Sequence, residues 1–244
     1  MSEQVALVTG AASGFGRAVA LALAGRKVRV LACDVDETGG RAVAKQAGVR
    51  FMRCDVSDPE QNDAAVALAV AEYGGLDMAF LNAGIATGTW PGADFDLAAY
   101  RRAMGVNLDG VVFGINSVLP AMRSRGGGAI VATASLAGLA AVPMDPIYAA
   151  NKHAVVGLVR SLGPALAYDA IRINAVCPGY SETAIIAPIR ELLADQGLPI
   201  IPVEQVTDTV IALFDGDMTG ECWFVQAGRD TQAFRFRGVP GPRP

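Results

Sequence analysis

Short apolar segments alternate with longer helix-like segments along most of this chain. The apolar segments are Val5–Thr9, Val28–Cys33, Arg50–Cys54, Asp77–Leu81, Ala129–Thr133, Ile171–Cys177 and Glu221–Val225. Continuous apolar segments of this length are typical of strands that are buried on both faces of a parallel sheet. Strands that alternate with helices form such a sheet with helices covering it. The pattern therefore predicts an α/β fold with a doubly wound parallel sheet and helices on both faces.

The intervening segments predict the helices and set the domain limits. The predicted helices are Arg17–Gly25, Glu37–Ala47, Pro59–Tyr73, Leu97–Ser124, Pro146–Tyr168 and Val203–Asp215. A chain of 244 residues with 52% hydrophobic residues can bury one large core, so we expect a single domain at residues 1–228. This domain includes an irregular lid at about residues 180–202. A tail at residues 229–244 lacks helix and strand patterns, and it is either loose or docked on a neighbouring subunit.

Charge and cysteine usage exclude several classes of function. The net charge is −4 and no basic run occurs, which argues against nucleic-acid binding. No apolar run is long enough to cross a membrane. Cys33, Cys54, Cys177 and Cys222 have neither metal-site nor disulfide-framework spacing, so we expect buried free thiols and no metal. Together with the polar start, which lacks a secretion signal, the free thiols predict a cytoplasmic protein.

A glycine-rich turn joins the first predicted strand to the first helix. It reads Gly10-Ala11-Ala12-Ser13-Gly14-Phe15-Gly16. Glycines let the backbone approach a phosphate closely, and the following helix presents free N–H groups and the positive end of its dipole. A strand before the turn and a helix after it favour dinucleotide binding over an ordinary tight turn, and so a Rossmann-like sheet.

Asp34 ends the second predicted strand. An acidic residue about 20 positions after the glycines commonly bonds the ribose 2′-hydroxyl of a dinucleotide. A carboxylate there would repel a 2′-phosphate, and Ala11, Ala12 and Ser13 offer no positive charge. The sequence therefore predicts NAD rather than NADP. The alternative is that Asp34 only caps the next helix.

Further polar or small residues follow the third and fourth predicted strands. Asp55 and Val56 end the third strand, and Asn82, Ala83 and Gly84 end the fourth. Ligands of doubly wound sheets bind at the carboxyl ends of strands. We therefore expect Asp55 near the adenine and Asn82-Ala83-Gly84 beside the cofactor.

Ser135, Tyr148 and Lys152 carry the candidate chemistry. Tyr148 and Lys152 are four residues apart, so they share one face of a helix that begins near Pro146. A neighbouring ammonium group would lower the pKa of a phenol, which could then exchange a proton with an alcohol or a carbonyl. Ser135, just past the fifth strand, could hydrogen-bond the same oxygen. The alternative is a surface tyrosine and lysine at helical spacing.

These residues, taken in order, resemble the short-chain dehydrogenase/reductase family to about Gly228. The resemblance rests on Thr9-Gly10-x-x-x-Gly14-x-Gly16, Asp55-Val56, Asn82-Ala83-Gly84, Asn107, Ser135, Tyr148-x-x-x-Lys152 and Pro178-Gly179-x-x-x-Thr183. It departs from the family pattern at Leu81, where many members have a second asparagine. Gln226-Ala227-Gly228 also lacks a paired glycine, which puts the usual C-terminal subunit contact in doubt.

The resemblance implies a role for each of these residues. Ser135 would orient the substrate oxygen, Tyr148 would exchange its proton, and Lys152 would bind the ribose and tune Tyr148. Asn107, which residue patterns alone make an ordinary solvated asparagine, would hold a water of the proton relay. Cofactor binding is expected at Gly10, Ser13, Gly14, Phe15, Gly16, Asp34, Asp55, Val56, Asn82, Ala83, Gly84, Tyr148, Lys152, Pro178, Gly179 and Thr183.

We therefore predict an NAD-dependent enzyme that transfers a hydride between the cofactor and a secondary alcohol or ketone. A bulky or cyclic apolar substrate is expected, because apolar residues follow the reacting groups or occupy the lid. They are Val142, Met144, Tyr180, Ile185, Ile186, Ile189, Leu192 and Leu193. Two other classes remain: a sensor or scaffold that binds NAD without turnover, and an epimerase or dehydratase of the same superfamily.

A homodimer or homotetramer is expected through the helical segments Leu97–Ser124 and Tyr148–Tyr168. Their apolar residues are too numerous for one buried stripe: Val111, Val112, Ile115, Val118, Val155, Leu158, Val159 and Leu162. The family resemblance points to the same assembly.

Overall fold

The computed structural model of the chain describes residues 3–183, 185–187 and 190–238. Ile189 of the predicted pocket lies outside the described residues. So do Met1 and Ser2, positions 184 and 188 of the predicted lid, and positions 239–244 of the predicted tail.

An eight-stranded sheet forms the centre of the molecule, in the order β3-β2-β1-β4-β5-β6-β7-β8. The strands are β1 (Val5–Thr9), β2 (Arg29–Asp34), β3 (Arg50–Arg53), β4 (Met78–Leu81), β5 (Gly128–Thr133), β6 (Ile171–Pro178), β7 (Cys222–Val225) and β8 (Gln232–Ala233). The first seven are parallel to their neighbours, and β8 alone pairs antiparallel. The predicted doubly wound sheet is confirmed. The order reverses between β1 and β4, which is where ligands bind in such sheets.

Four of the helices begin just after an aspartate whose side chain caps them. The helices are α1 (Gly14–Gly25), α2 (Glu37–Ala47), α3 (Pro59–Tyr73), α4 (Leu97–Met104), α5 (Gly110–Arg125), α6 (Pro146–Leu166), α7 (Arg190–Asp195) and α8 (Val203–Asp215). Asp58 accepts hydrogen bonds from two backbone N–H groups at the start of α3, and Pro59 takes the first helical position. Gly74 ends α3 in the left-handed conformation, at φ 82°. Such caps satisfy backbone groups that the helix itself leaves unbonded.

The prediction of a single long helix over Leu97–Ser124 is wrong in one respect. A π-helical turn over Gly105–Asp109 separates α4 from α5 and contains Asn107. Residues Gly105 and Gly110 border this turn, and π turns within helices often mark functional positions.

The core lies on both faces of the sheet, because successive side chains of a strand point to opposite faces. On one face Leu7 and Ile130 pack in a cluster with Met122 of α5. On the other, Val8 and Val131 pack in a cluster with Leu23 of α1 and Leu213 of α8. All four cysteines are buried and free, as the sequence predicts.

Most of the apolar residues that were expected to form a subunit interface are buried in the core of their own chain. Five of the eight (Val111, Ile115, Val118, Val155, Val159) are buried. Leu158 and Leu162 are partly buried and pack against the same core, and Val112 is 40% exposed. The inference that these helices carry more apolar residues than one chain can bury is therefore wrong for most of the set.

The tail also differs from the expectation. Gln232–Ala233 forms β8 against β7, and the Phe234 N–H donates to the Cys222 carbonyl over 2.8 Å. The Phe236 ring then lies 3.7 Å from the Arg160 guanidinium of α6. The described part of the tail thus docks on its own chain, through backbone pairing that the sequence pattern does not signal.

The predicted lid is closed at its base by backbone pairing. The Ile201 N–H donates to the Tyr180 carbonyl over 2.8 Å, and the Ser181 hydroxyl donates to the Ile201 carbonyl over 2.8 Å. Between these ends the described residues include the short helix α7. Within the described ranges, no helix is long and apolar enough to span a bilayer.

Candidate active site

The side chain of Asn82 joins the ends of three neighbouring strands. Its amide nitrogen donates to the Thr9 carbonyl of β1 over 3.1 Å, and its amide oxygen accepts from the Thr133 hydroxyl of β5 over 3.0 Å. The Thr9 hydroxyl in turn accepts the N–H groups of Asn82 and Ala83 over 2.9 and 3.2 Å. Asn82 therefore fixes the relative positions of the segments that follow β1, β4 and β5.

The glycine-rich turn packs against this junction. Gly10 has a φ of 65°, and a Cβ atom there would lie 2.9 Å from the Ala83 Cα and from the Asn82 amide nitrogen. A Cβ on Gly16 would collide with the Gly10 carbonyl. Only glycine fits these positions, so the turn stays narrow enough for its backbone to contact a phosphate.

The start of α1 has backbone N–H groups that can bind an anion. Ser13 occupies the N-cap position but makes no side-chain capping bond, and the first turn holds no acidic residue. The N–H groups of Gly14, Phe15 and Gly16 lie in this first turn, where the helix dipole favours a negative group. These features fit the pyrophosphate of a dinucleotide.

Asp34 does not cap α2, because Asp36 does so by accepting from Thr38 and Gly39. One carboxylate oxygen of Asp34 accepts the Ala12 N–H and the other accepts the Asp36 N–H, both over 2.9 Å. These bonds hold a negative charge beside the glycine-rich turn, with oxygen lone pairs left for a ribose hydroxyl.

The remaining predicted cofactor residues occupy two other sites around this cleft. Asp55 accepts the N–H and the hydroxyl of Ser57 at one carboxylate oxygen, over 3.0 and 2.7 Å, and Val56 is buried beside it. On the opposite side, a Cβ on Gly14 would lie 3.3 Å from the Thr183 methyl carbon, so Thr183 closes over the glycine-rich turn.

Pro178 and Gly179 carry β6 into the segment that holds Thr183. The Gly179 N–H donates to the Val225 carbonyl over 2.9 Å, and the Pro178 carbonyl accepts from the Ser135 hydroxyl over 3.4 Å. The chain after β6 is therefore tied both to β7 and to a candidate catalytic residue.

Asn107 is fully buried, and both its amide oxygen and its amide nitrogen bond the backbone of Ile85. Its oxygen accepts the Ile85 N–H over 2.8 Å, and its nitrogen donates to the Ile85 carbonyl over 2.9 Å. A Cβ on Gly84 would lie 3.4 Å from the Asn107 oxygen and 3.7 Å from the Lys152 amine. The π turn thus brings Asn107 to the lysine, and the solvated-asparagine interpretation is wrong.

Ser135 follows β5 and begins a short 3₁₀ turn, Leu136–Gly138. Its hydroxyl oxygen accepts the Ala137 N–H over 3.1 Å. These bonds fix the hydroxyl near the Tyr148 phenol, and the hydroxyl acts to lower the pKa of that phenol.

Lys152 is buried, with 2% of its surface exposed. Its amine donates to the Thr133 carbonyl over 2.8 Å and lies 5.6 Å from the centre of the Tyr148 ring. Burial lowers the pKa of the Lys152 amine to about 8, because the charged form loses hydration. The two side chains face one site, and the surface-pair interpretation is wrong.

The expected lowering of the Tyr148 pKa by Lys152 is not found in the polypeptide. Burial is the largest effect and raises the pKa of Tyr148 to about 12, while the hydrogen bond from Ser135 acts in the opposite direction and the Asp145 carboxylate adds to the rise. Since the lysine pKa is about 8, its amine is already neutral at the pH where the phenol would ionise. A neutral amine cannot stabilise a phenolate by charge.

The predicted apolar lining divides into packed and exposed residues. Ile186 and Leu193 are buried, and Val142 is partly buried. The exposed members are Met144, Tyr180, Ile185 and Leu192. Trp90, which is not part of the predicted lining, is 56% exposed and donates from its indole to the Pro143 carbonyl over 3.3 Å.

Four residues of the site were not among the candidate site residues predicted from the sequence, although Thr9 opens the glycine motif of the family resemblance. Thr133 accepts from Lys152 and bonds Asn82, Thr9 anchors β4, Ile85 holds Asn107, and Asp145 caps the helix that carries Tyr148. Thr9 and Thr133 are polar residues at strand ends, and Asp145-Pro146 is a helix-start signal, so three of them carried a recognisable pattern. Ile85 bonds Asn107 through its backbone, so its side chain gave no recognisable sequence pattern.

Comparison with known proteins decides the family. The chain matches the short chain dehydrogenase family over residues 4–193. This protein belongs to that family. Among the described residues, no group of three or more histidine, cysteine or acidic side chains could hold a metal ion.

The names of two curated relatives describe substrates with a six-membered ring. The chain is 39% identical over 202 residues to a cyclohexanol dehydrogenase of Acinetobacter sp. (strain SE19), covering 78% of each chain. It is 41% identical over 191 residues to a cis-4-hydroxycyclohexanecarboxylate dehydrogenase of Sinomonas cyclohexanicum, covering 76% of each.

Solved structures share the whole fold. An actinorhodin polyketide ketoreductase with NADPH superimposes with a TM-score of 0.86 at 33% identity, over 93% of this chain and 98% of that one. A 3-ketoacyl-(acyl-carrier-protein) reductase from Brucella melitensis, complexed with NADH, gives 0.87 at 27% identity over the same shares. The two neighbours therefore carry different nicotinamide cofactors.

The buried Lys152 amine predicts a pH-dependent cost to stability. The pKa of this amine falls from 10.5 in the unfolded chain to about 8 in the folded protein. Below pH 8 the buried amine is charged, and the whole free-energy cost of burying that charge lowers the stability. Between pH 8 and pH 10.5 the folded protein has lost this proton, so the cost disappears as the pH rises. One pKa unit corresponds to roughly 1.4 kcal/mol. As the pH increases, the unfolding free energy of the wild type should therefore rise by about 3 kcal/mol relative to that of Lys152→Met. Urea unfolding of both proteins from pH 7 to pH 10 measures this difference. A difference that stays constant with pH would contradict the assignment.

Proposed function

We propose that this protein transfers a hydride between a nicotinamide cofactor and a cyclic secondary alcohol or ketone, with NAD as the preferred cofactor. The observation that carries the proposal is the convergence of Ser135, Tyr148 and Lys152 beside the glycine-rich turn. A phenol, a hydroxyl and an amine fixed by backbone bonds supply proton exchange at one oxygen atom.

Each side chain has one task in alcohol oxidation. The deprotonated phenol of Tyr148 accepts the hydroxyl proton of the substrate, and the Ser135 hydroxyl donates a hydrogen bond to the oxygen that becomes the carbonyl. In ketone reduction, the protonated phenol returns the proton. Lys152, whose amine donates to the Thr133 carbonyl, would bind a ribose hydroxyl of the cofactor. Asn107 fixes the chain beside the lysine through Ile85.

The groups that would hold the cofactor are the glycine-rich turn, the start of α1, Asp34 and Thr183. The oxidised nicotinamide, when bound, supplies the hydride acceptor and a positive charge that favours the phenolate form of a nearby tyrosine. Without such a charge, burial of Tyr148 opposes ionisation.

A ring substrate is supported by two independent observations. The relatives described above act on cyclohexanol and on a hydroxycyclohexanecarboxylate. Met144, just before the helix that carries Tyr148, and Tyr180 and Ile185, in the segment after β6, expose mainly apolar surface that can cover a ring. Burying apolar surface contributes about 25 cal/mol per Å², which favours a ring over a small polar alcohol.

Turnover of ring alcohols tests the function directly. Cyclohexanol and substituted cyclohexanols should be oxidised with higher kcat/KM than sugars or small hydroxy acids, as measured by absorbance of the reduced cofactor. Tyr148→Phe should lose about 10²–10⁴-fold in kcat because positioned proton transfer is lost. The variant should still bind NAD in a calorimetric titration. Near-wild-type turnover by the folded variant would remove Tyr148 from the chemistry.

The cofactor preference is tested at Asp34. Because its carboxylate would repel a 2′-phosphate, the wild type should favour NAD over NADP. Asp34→Ala should weaken NAD binding and narrow that preference by about tenfold or more, the equivalent of at least about 1.4 kcal/mol. Steady-state kinetics with both cofactors measure the ratio. Equal kcat/KM values for the two cofactors in the wild type would reject the preference.

We also propose a homodimer or a homotetramer formed through α5 and α6. The support from the described surface is confined to exposed Val112 and the partly exposed Leu158 and Leu162. Light scattering at micromolar concentration should give a mass of at least two chains, and Val112→Asp should shift it toward one. A monomeric wild type would end this proposal.

A further inference from the structure

Trp90 joins the loop after β4 to the turn that precedes α6. Its indole N–H donates to the Pro143 carbonyl over 3.3 Å, while 56% of its surface stays exposed. The turn is closed by a bond from the Asp145 N–H to the Val142 carbonyl over 3.2 Å, which leaves the Pro143 carbonyl to the indole. The indole bond thus ties together two segments that are 53 positions apart in the chain.

The loop that carries Trp90 is also fixed on both sides of the indole. Before it, Thr87 is 1% exposed, so the chain is anchored in the interior. After it, the Asp96 N–H donates to the Thr89 hydroxyl over 2.7 Å, which closes the loop at its base. Trp90 is therefore exposed but held in place, and a side chain that is already held loses little conformational entropy when it covers a ligand.

Both segments that the indole bond joins lead directly to the candidate catalytic groups. The loop starts at Gly84, where a Cβ atom would lie 3.7 Å from the Lys152 amine. The turn ends at Asp145, whose side chain accepts the Tyr148 backbone N–H over 2.9 Å. Trp90 completes a closed path of chain that passes beside Lys152 and Tyr148, and its exposed side chain is where this path meets solvent.

A second large apolar side chain is exposed at the same place. Met144 directly follows Pro143 in the chain and is 62% exposed. Single exposed apolar residues are common, but two at one bonded point make a local apolar surface. A charged ligand gains nothing from such a surface, whereas an apolar ring or its apolar substituent is removed from water against it.

We propose that Trp90 is a specificity-determining residue that selects ring alcohols and ketones with an apolar substituent remote from the reacting carbon. Its indole, fixed by Pro143, forms the outer wall of the substrate site, and Met144 extends that wall. This inference rests on the proposed function, since the wall acts on the substrate of that reaction. A substituent on the ring carbon opposite the hydroxyl group points away from Tyr148, so it is the part of the substrate that reaches the wall.

The ratio of kcat/KM for two alcohols tests the wall. The wild type should prefer a cyclohexanol with a tert-butyl group opposite its hydroxyl group over cyclohexanol itself. Trp90→Ala should lower this preference by about tenfold, the effect of leaving roughly 60 Å² of apolar surface in water. Trp90→Phe keeps a ring but loses the bond to Pro143, so its preference should be intermediate. An equal loss of kcat/KM for both alcohols would overturn the proposal, because it is the effect of a merely structural residue.

Trp223 provides the matched control, because it is the second of the two tryptophans and its indole also donates a hydrogen bond, to the Glu221 carboxylate over 2.7 Å. It lies on β7, where that strand pairs with β8. Trp223→Phe should leave the preference between the two alcohols unchanged. A change as large as that in Trp90→Ala would contradict the proposal, since the preference would then respond to the loss of either tryptophan.

A measurement without turnover separates this proposal from the proposed function. In Trp223→Phe the only tryptophan is Trp90, so the indole fluorescence reports on this residue alone. NAD and a ketone do not react with each other, so adding the tert-butyl cyclohexanone to the NAD complex should shift the emission to shorter wavelength as the indole leaves water. Turnover of ring alcohols without this shift would exclude the wall and leave the reaction. The shift in a protein without turnover would retain the wall and reject the reaction.

An alternative occupant of the exposed indole is a second copy of the chain. Light scattering of Trp90→Ala and of the wild type should therefore give the same mass. A smaller mass for Trp90→Ala, together with an unchanged preference between the two alcohols, would assign Trp90 to a subunit contact and end the proposal.

Discussion

The amide of Asn82 is the contact on which the site depends. It holds the ends of β1, β4 and β5 together. The glycine-rich turn follows β1, the segment with Ile85, which bonds Asn107, follows β4, and Ser135 follows β5. Because the bond partners include backbone carbonyls next to conformationally restricted glycines, a small change in one segment would be passed to the others. The cleft is therefore positioned by the sheet rather than by its loops.

Burial changes the pKa values of Tyr148 and Lys152 in the opposite direction from that expected for a phenol beside an ammonium group. Lys152 is buried and Tyr148 is partly buried, and burial lowers the pKa of the amine to about 8 and raises the pKa of the phenol to about 12. The phenol therefore stays protonated near neutral pH unless a positive charge lies beside it. The polypeptide thus keeps the reactive phenolate scarce until a positively charged partner of the phenol is present.

Much of the architecture could be predicted from the sequence, because buried parallel strands are continuous apolar runs and the helix starts carry Asp and Pro. The candidate site was predictable to the extent that polar residues follow strand ends, as Asp34, Asn82 and Ser135 do. The π turn at Asn107, the pairing of β8 with β7 and the contact with Ile85 were not predictable, since each depends on backbone hydrogen bonds between distant segments. The Tyr148 pKa was misjudged because spacing reveals proximity to Lys152 but not desolvation.

The short strand β8 changes what the outer edge of the sheet can do. A parallel sheet that ended at β7 would present unpaired N–H and C=O groups, a template on which another chain could add a strand. Here the Trp223–Phe224 segment is already paired with residues of the same chain, and Phe236 stacked on Arg160 holds the covering segment down. At this edge the short strand leaves few unpaired backbone groups on which another chain could add a strand. Continuation of the sheet into a second subunit would first require this covering segment to peel away.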